Sequence, residues 1–134
     1  MSDLETAALA AIDAIIDNFA RHQREAYFAG FAADATFLFH TEPHRLDSRA
    51  AYEALWAEWE RVSRFRVQNA TSSNRRLQLF GSAAVFSHDV ETTVVLEGSE
   101  RVLHERESII MQRRGDTWLG VHEHLSARLP AGEA

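Results

Sequence analysis

Beyond Arg64 the chain changes period. Before that point apolar residues recur at steps of three and four; from Phe65 onward they recur at every second residue, interrupted only by short clusters of Gly, Ser and Asn. Such a run is far longer than one strand, so it must fold back on itself as long strands joined by tight turns. Gly81-Ser82, Gly98-Ser99 and Gly115-Asp116 supply those turns. The outcome expected is a meander of four antiparallel strands. Its clearest member runs from Ala84 to Glu97, where Phe86, His88, Val90, Thr92, Val94 and Leu96 form a mainly apolar face opposite Ser87, Asp89, Glu91, Thr93 and Glu97. In the first strand, Ser72-Ser73-Asn74 breaks the alternation and reads as a bulge or bend.

The half before Arg64 is helical in pattern, with one strand inside it. Leu4, Ala8, Ala11, Ile12, Ile15 and Phe19 make one stripe of an amphipathic helix, and Ser2 followed by Glu5 has capping-box spacing. A second, shorter helix is expected over Arg21–Phe31, with Gly30 near its end where the backbone turns. Ala35–Thr41 has the β-branched and aromatic density of a strand, which Pro43 ends or confines to an edge. Ser48 then caps a third helix whose Tyr52, Leu55, Trp56, Trp59 and Val62 share a face. At 134 residues, 46% of them apolar, the chain is one domain, ordered over residues 3–128 with 129–134 as a tail containing Pro130 and Gly132. The architecture is α+β: a curved antiparallel sheet with the three helices of the N-terminal half packed on its concave face, an arrangement that leaves a cavity.

Composition narrows the function. A formal charge of −6 with scattered Arg argues against a nucleic-acid partner. Without Cys there is no disulfide, thiol nucleophile or Cys-ligated zinc. The N-terminal Met-Ser-Asp-Leu-Glu-Thr carries acids where a secretory signal carries bases, and no apolar run approaches the roughly 20 residues that span a bilayer, so no membrane partner and a cytoplasmic location are expected. No Gly-rich phosphate loop suggests a nucleotide, and no cofactor is expected.

The candidate site centres on Asp116–Ser126. Read as an unbroken strand, it places Trp118, Gly120, His122, His124 and Ser126 on one face and Leu119, Val121, Glu123 and Leu125 on the other. If Arg114-Gly115-Asp116 forms a three-residue loop, Ser108 falls opposite His122 and Arg106 opposite His124, so that one pocket wall carries Arg106, Ser108, His122 and His124. A guanidinium in such a pocket awaits an internal carboxylate or an acidic ligand. A two-residue loop instead turns Arg106 outward. His122 and His124 stand about 6.5 to 7 Å apart on one face, workable for a metal if a neighbouring strand adds a ligand such as His88 or His104. His88 reads either as a hydrogen-bonded core imidazole or as a pocket acid or base. Tyr27 points a phenol at the cavity or caps it, Trp56 and Trp59 pack in the core or close the pocket mouth, and His40 and His44 flank Pro43 in an exposed loop.

Two segments carry a family resemblance: Tyr27-Phe28-Ala29-Gly30-Phe31-Ala32-Ala33-Asp34-Ala35-Thr36-Phe37, and Gly115-Asp116-Thr117-Trp118 followed by His122-Glu123-His124-Leu125-Ser126. With them the chain resembles, over nearly its whole length, the SnoaL-like branch of the nuclear transport factor 2-like superfamily, the cone-shaped fold of the ketosteroid isomerases. The second segment is also similar to the end of the calcium/calmodulin-dependent kinase II association domain. The resemblance implies a cone with a pocket between sheet and helices, and a homodimer. It leaves activity open, because one scaffold hosts many chemistries. In the isomerases an Asp base shortly follows the Asp-Ala-Thr motif, whereas Phe39 stands at about that place here, so isomerase activity is not carried over. The reading expected first is a small-molecule pocket for a partly apolar or acidic compound, lined by Arg106, Ser108, His122, His124, His88, Tyr27, Phe39 and Trp56. If it is an enzyme, His122 or His124 carries the proton without a cofactor. The rivals are a non-catalytic association module, dimeric through Leu119, Val121 and Leu125, and a His-x-His metal site.

Overall fold

The elements follow the order that the periodicity predicts: α1 (Asp3–Ala20), α2 (Arg24–Ala29), β1 (Phe31–Phe39), α3 (Arg49–Ser63), β2 (Arg66–Phe80), β3 (Ala83–Leu96), β4 (Ser99–Arg114) and β5 (Thr117–Ala127). They belong to a computed structural model that describes residues 2–129; the expected tail, past Leu129, lies outside the described residues. Ser2 caps α1 by accepting from the Glu5 N–H, and Ser48 caps α3 by accepting from the Ala51 N–H. None of the described helices is long and apolar enough to cross a membrane.

The junction of α1 and α2 departs from expectation. His22 sits in the left-handed region at φ 54°, its Nδ1 accepts from the Val67 N–H at 3.0 Å and its Nε2 bonds Glu60 at 2.8 Å. Held this way, the backbone cannot continue a helix from Arg21, and α2 shrinks to six residues. Phe31, expected at the end of that helix, opens β1 instead. Gly30 is present for space rather than for a turn. Its φ is −75°, and an added Cβ would lie 2.7 Å from Ile15 Cγ1.

The five strands form one sheet in the order β1-β5-β4-β3-β2, parallel between β1 and β5 and antiparallel elsewhere. Each hairpin is a two-residue turn with a left-handed Gly: Gly81, Gly98 and Gly115 have φ of 63°, 80° and 64°. The pairing puts the second turn at Glu97-Gly98, one residue earlier than expected. Register shifts interrupt β1, β2 and β5; in β2 one of them spans Ser73 to Arg76, beside the Ser72-Ser73-Asn74 break. Bulges of this kind bend strands, and here they curl the sheet around its helices. α1 lies over β2 and α3 over β1, and between them Trp56, Phe31, Phe37, Phe86, Ile12, Ile109 and Met111 are fully buried. The helices seal one end of the cone with aromatic rings. At the other end the concave face stays open.

Candidate active site

Alternation along β3 is unbroken, so Phe86, His88, Val90, Thr92 and Val94 all face inward. β4 pairs with β3 without a shift, which directs Glu105, Glu107, Ile109 and Met111 to the same side. β5 does not keep its phase. Met111 pairs with Gly120 but Ile110 with His122, so Val121 is an extra residue bulged out of the ladder. Trp118 and Gly120 face inward before the bulge, Glu123 and Leu125 after it, and His122 and His124 turn outward. One inserted residue inverts the expected wall.

Three consequences correct the sequence reading. The hairpin at Gly115-Asp116 has two residues rather than three, and Ser108 pairs with His124 and Arg106 with Ser126. Arg106, Ser108, His122 and His124 therefore do share a face, but it is the convex outside. The Arg106 side chain is 66% exposed and lies 3.6 Å from Asp89, so it supplies no charge to the cavity. His122 bonds Thr36 Oγ1 through Nδ1 at 2.8 Å, and burial, then His124, lower its pKa. The two rings lie 6.4 Å apart, and among the described residues no group of three or more His, Asp or Glu is placed to hold a metal ion. Trp56 lines no part of the cavity: it is fully buried in the core, its ring 5.5 Å from that of Tyr27. Leu125, expected on a dimer face, points into the cavity.

The cavity measures 330 Å³, within the range of small-molecule sites. Tyr27, Phe39 and His88, three of the residues singled out from sequence, line it. So do Tyr52, Glu105, Glu107 and Glu123, which that reading missed. Their polar atoms form two hydrogen-bonded chains across the wall. Ser72 Oγ lies 2.6 Å from His88 Nδ1, and His88 Nε2 lies 2.8 Å from Glu107 Oε1. With Nε2–H donated to the carboxylate, Nδ1 accepts from the Ser72 hydroxyl. Glu107 and Glu123 are diagonal neighbours on the inward face, Glu107 pairing with Leu125 and Glu123 with Ile109, and like carboxyls so placed resist ionising together. Glu123 in turn receives the Tyr27 hydroxyl at 3.4 and 3.5 Å, and Tyr27 and Tyr52 share a hydrogen bond at 3.0 Å.

Electrostatics select the proton's holder. Burial, then Glu107, push the Glu123 carboxyl well above the usual carboxylate range. Burial, then Glu123, likewise keep both tyrosines protonated to well above their ordinary value. Nearer the mouth, burial raises Glu105, while His40 donates to it at 2.6 Å and opposes that rise. His40, exposed and in a turn as expected, is nonetheless tied to the site by this bond. Its partner could have been found from sequence: Glu105 and Glu107 continue the alternate positions of Ile109 and Met111. The equally apolar Ile110 hid that phase.

A curved sheet wrapped on three helices around one cavity is the cone of the nuclear transport factor 2-like class. Solved structures of this class superpose on nearly the whole chain. A candidate Ca/calmodulin-dependent kinase II association domain from Exiguobacterium sibiricum 255-15 is 14% identical, with 98% of each chain covered and a TM-score of 0.81. A ketosteroid isomerase-like protein from Erwinia carotovora atroseptica SCRI1043 is 14% identical over 97% of this chain and 100% of that one, with a TM-score of 0.80. A candidate scytalone dehydratase from Novosphingobium aromaticivorans DSM 12444 is 14% identical over 98% and 95%, with a TM-score of 0.78. At these identities the likeness is one of fold. Within the class, the chain belongs to the SnoaL-like domain family, whose model matches residues 8–131. No curated protein matches it.

Proposed function

We propose that this chain binds a small, largely apolar molecule in the cone and moves a proton on it without a cofactor, Glu123 acting as the acid and Glu107, oriented by His88, as the base. The observation that carries this is the Glu107–Glu123 pair: two carboxyls, Glu123 buried and Glu107 half-buried, on adjacent strands at the wall of an apolar cavity. Like carboxyls held so close divide into one protonated and one proton-accepting group, the division that general acid–base catalysis needs. The roles given to His122 and His124 from sequence pass to these glutamates. The acidic ligand that an inward Arg106 would have recruited loses its counter-charge. The ketosteroid isomerase-like and scytalone dehydratase neighbours support acid–base work by this fold, while Phe39 and the distinct placement of the carboxyls, on β4 and β5, argue for a different reaction.

The test begins with the native mass spectrum of the purified protein against its denatured mass, to identify a retained compound. That compound in D2O should take up deuterium at an activated C–H position in the presence of the protein, about 10²- to 10⁴-fold more slowly with Glu107→Gln. Uptake unchanged by Glu107→Gln removes the base assignment.

We also infer a homodimer formed through the convex face. Leu38, Ile110, Leu119 and Val121 lie there half-buried in the isolated chain, an apolar strip beside His122. Association and catalysis use opposite faces of the sheet and do not compete.

A further inference from the structure

We infer that the molecule taken up by the cone is an organic cation, an amine carried as its ammonium on an apolar body. The inference rests on the cavity being a ligand site and names the charge of what enters it. Four carboxyl-bearing residues line the cavity, Glu42, Glu105, Glu107 and Glu123, and none of the chain's 14 Arg residues does; the chain has no Lys. The basic groups that reach the wall are two imidazoles, His88 on Glu107 and His40 on Glu105. Glu123 has neither. It is 3% exposed and aimed into the cavity, and its two oxygens divide a single hydroxyl at 3.4 and 3.5 Å. A buried carboxyl with so little donation has lone pairs left for a ligand.

The rest of the lining fits the same guest. Phe19, Tyr27, Phe39, Tyr52, Trp59 and Phe65 surround the space with aromatic rings, whose faces attract a desolvated cation and have no comparable attraction for an anion. Rings and carboxyls together are the chemistry that recognises ammonium groups. The formal charge of −6 on the chain favours a cation's approach as well. An ammonium placed between Glu107 and Glu123 also meets the negative charge that the pair carries, which a neutral ligand leaves unpaired and an anion opposes.

Three probes of one shape and different charge test this: benzyltrimethylammonium, its carbon isostere neopentylbenzene, and benzylsulfonate. Each is titrated at mildly alkaline pH and followed by the fluorescence of Trp59 at the cavity wall. The cation should bind at least about tenfold more tightly than the hydrocarbon, with the sulfonate weakest. Glu123→Gln copies the protonated carboxyl in shape but cannot become an anion. It should weaken the cation by about tenfold and leave the hydrocarbon within about twofold, which also certifies that the variant is folded. A hydrocarbon or sulfonate that binds as tightly as the cation overturns the ligand class and leaves the pocket reading standing. If none of the three binds, both fall.

Discussion

The residue that sets the character of the site is Glu123. Its neutrality in the folded protein has a thermodynamic consequence, because the unfolded chain returns the carboxyl to its ordinary value of 4.5. Between that value and the raised folded one, the native state holds a proton that the unfolded state has released. Stability therefore falls as pH rises through this window, by at most about 1.4 kcal/mol per pH unit for one proton. Asp34 and Glu60, whose pKa values are lowered by their partners, act in the opposite sense and lose their stabilising effect as pH falls. Glu105, also raised, adds to the trend of Glu123. Comparing the chain with Glu123→Gln isolates the one group. Urea unfolding across pH should find the two alike in acid and the Gln variant progressively more stable toward alkaline pH; parallel curves would show that the carboxyl ionises freely in the fold.

At the scale of the element, β5 decides the site through a single bulged residue. Gly120 faces the Phe31 ring so closely that an added Cβ would lie 2.6 Å from it, and beyond Gly120 the pairing with both β1 and β4 shifts. Deleting Val121 takes the extra residue out of the ladder and lets plain alternation run from Gly120 to His122, so that His122 still pairs with Ile110, Glu123 with Ile109, and Glu123 stays inward. The variant should lose only what the bend contributes, about 0.5–3 kcal/mol, and keep its uptake of a cavity ligand. Denaturation and ligand titration of the deletion variant measure both. A folded variant that takes up no cavity ligand would mean that Val121 is not the extra residue that sets the inward face. β3 offers the contrast: with no bulge, its inward residues are those the alternation predicts, His88 included.

For the whole molecule, the sheet separates two surfaces of different chemistry. The concave side holds carboxyls and aromatic rings without an Arg, and the convex side holds the Arg106–Asp89 pair, His122, His124 and the apolar strip. If that strip joins two copies, Ile110→Asp should yield a folded monomer, because a charge in the middle of an isologous contact is met by its own symmetry mate or by apolar surface. Sedimentation of the variant, with its circular dichroism as a check on folding, decides it: a dimer that survives the substitution places the contact elsewhere. The ligand response should be kept in that monomer, since the cavity lies on the other face.

What the chain's sequence determined by itself is what neighbours along the chain determine. The α+β class, the order of elements, the caps of α1 and α3, the hairpin meander and the inward face of β3 all follow from local period and turn chemistry. Even the grouping of Arg106, Ser108, His122 and His124 on one face was legible, because the shorter turn and the bulge each shift the pairing by one residue and together restore its parity. Tertiary structure alone decided which side of that face meets the cavity. The bulge at Val121 comes from β5 being paired on both edges while Gly120 packs on Phe31, and those partners lie far away in sequence. The pairing of Glu107 with Glu123 was decided in the same way: the two stand on different strands, and only the folded sheet brings them together and buries Glu123.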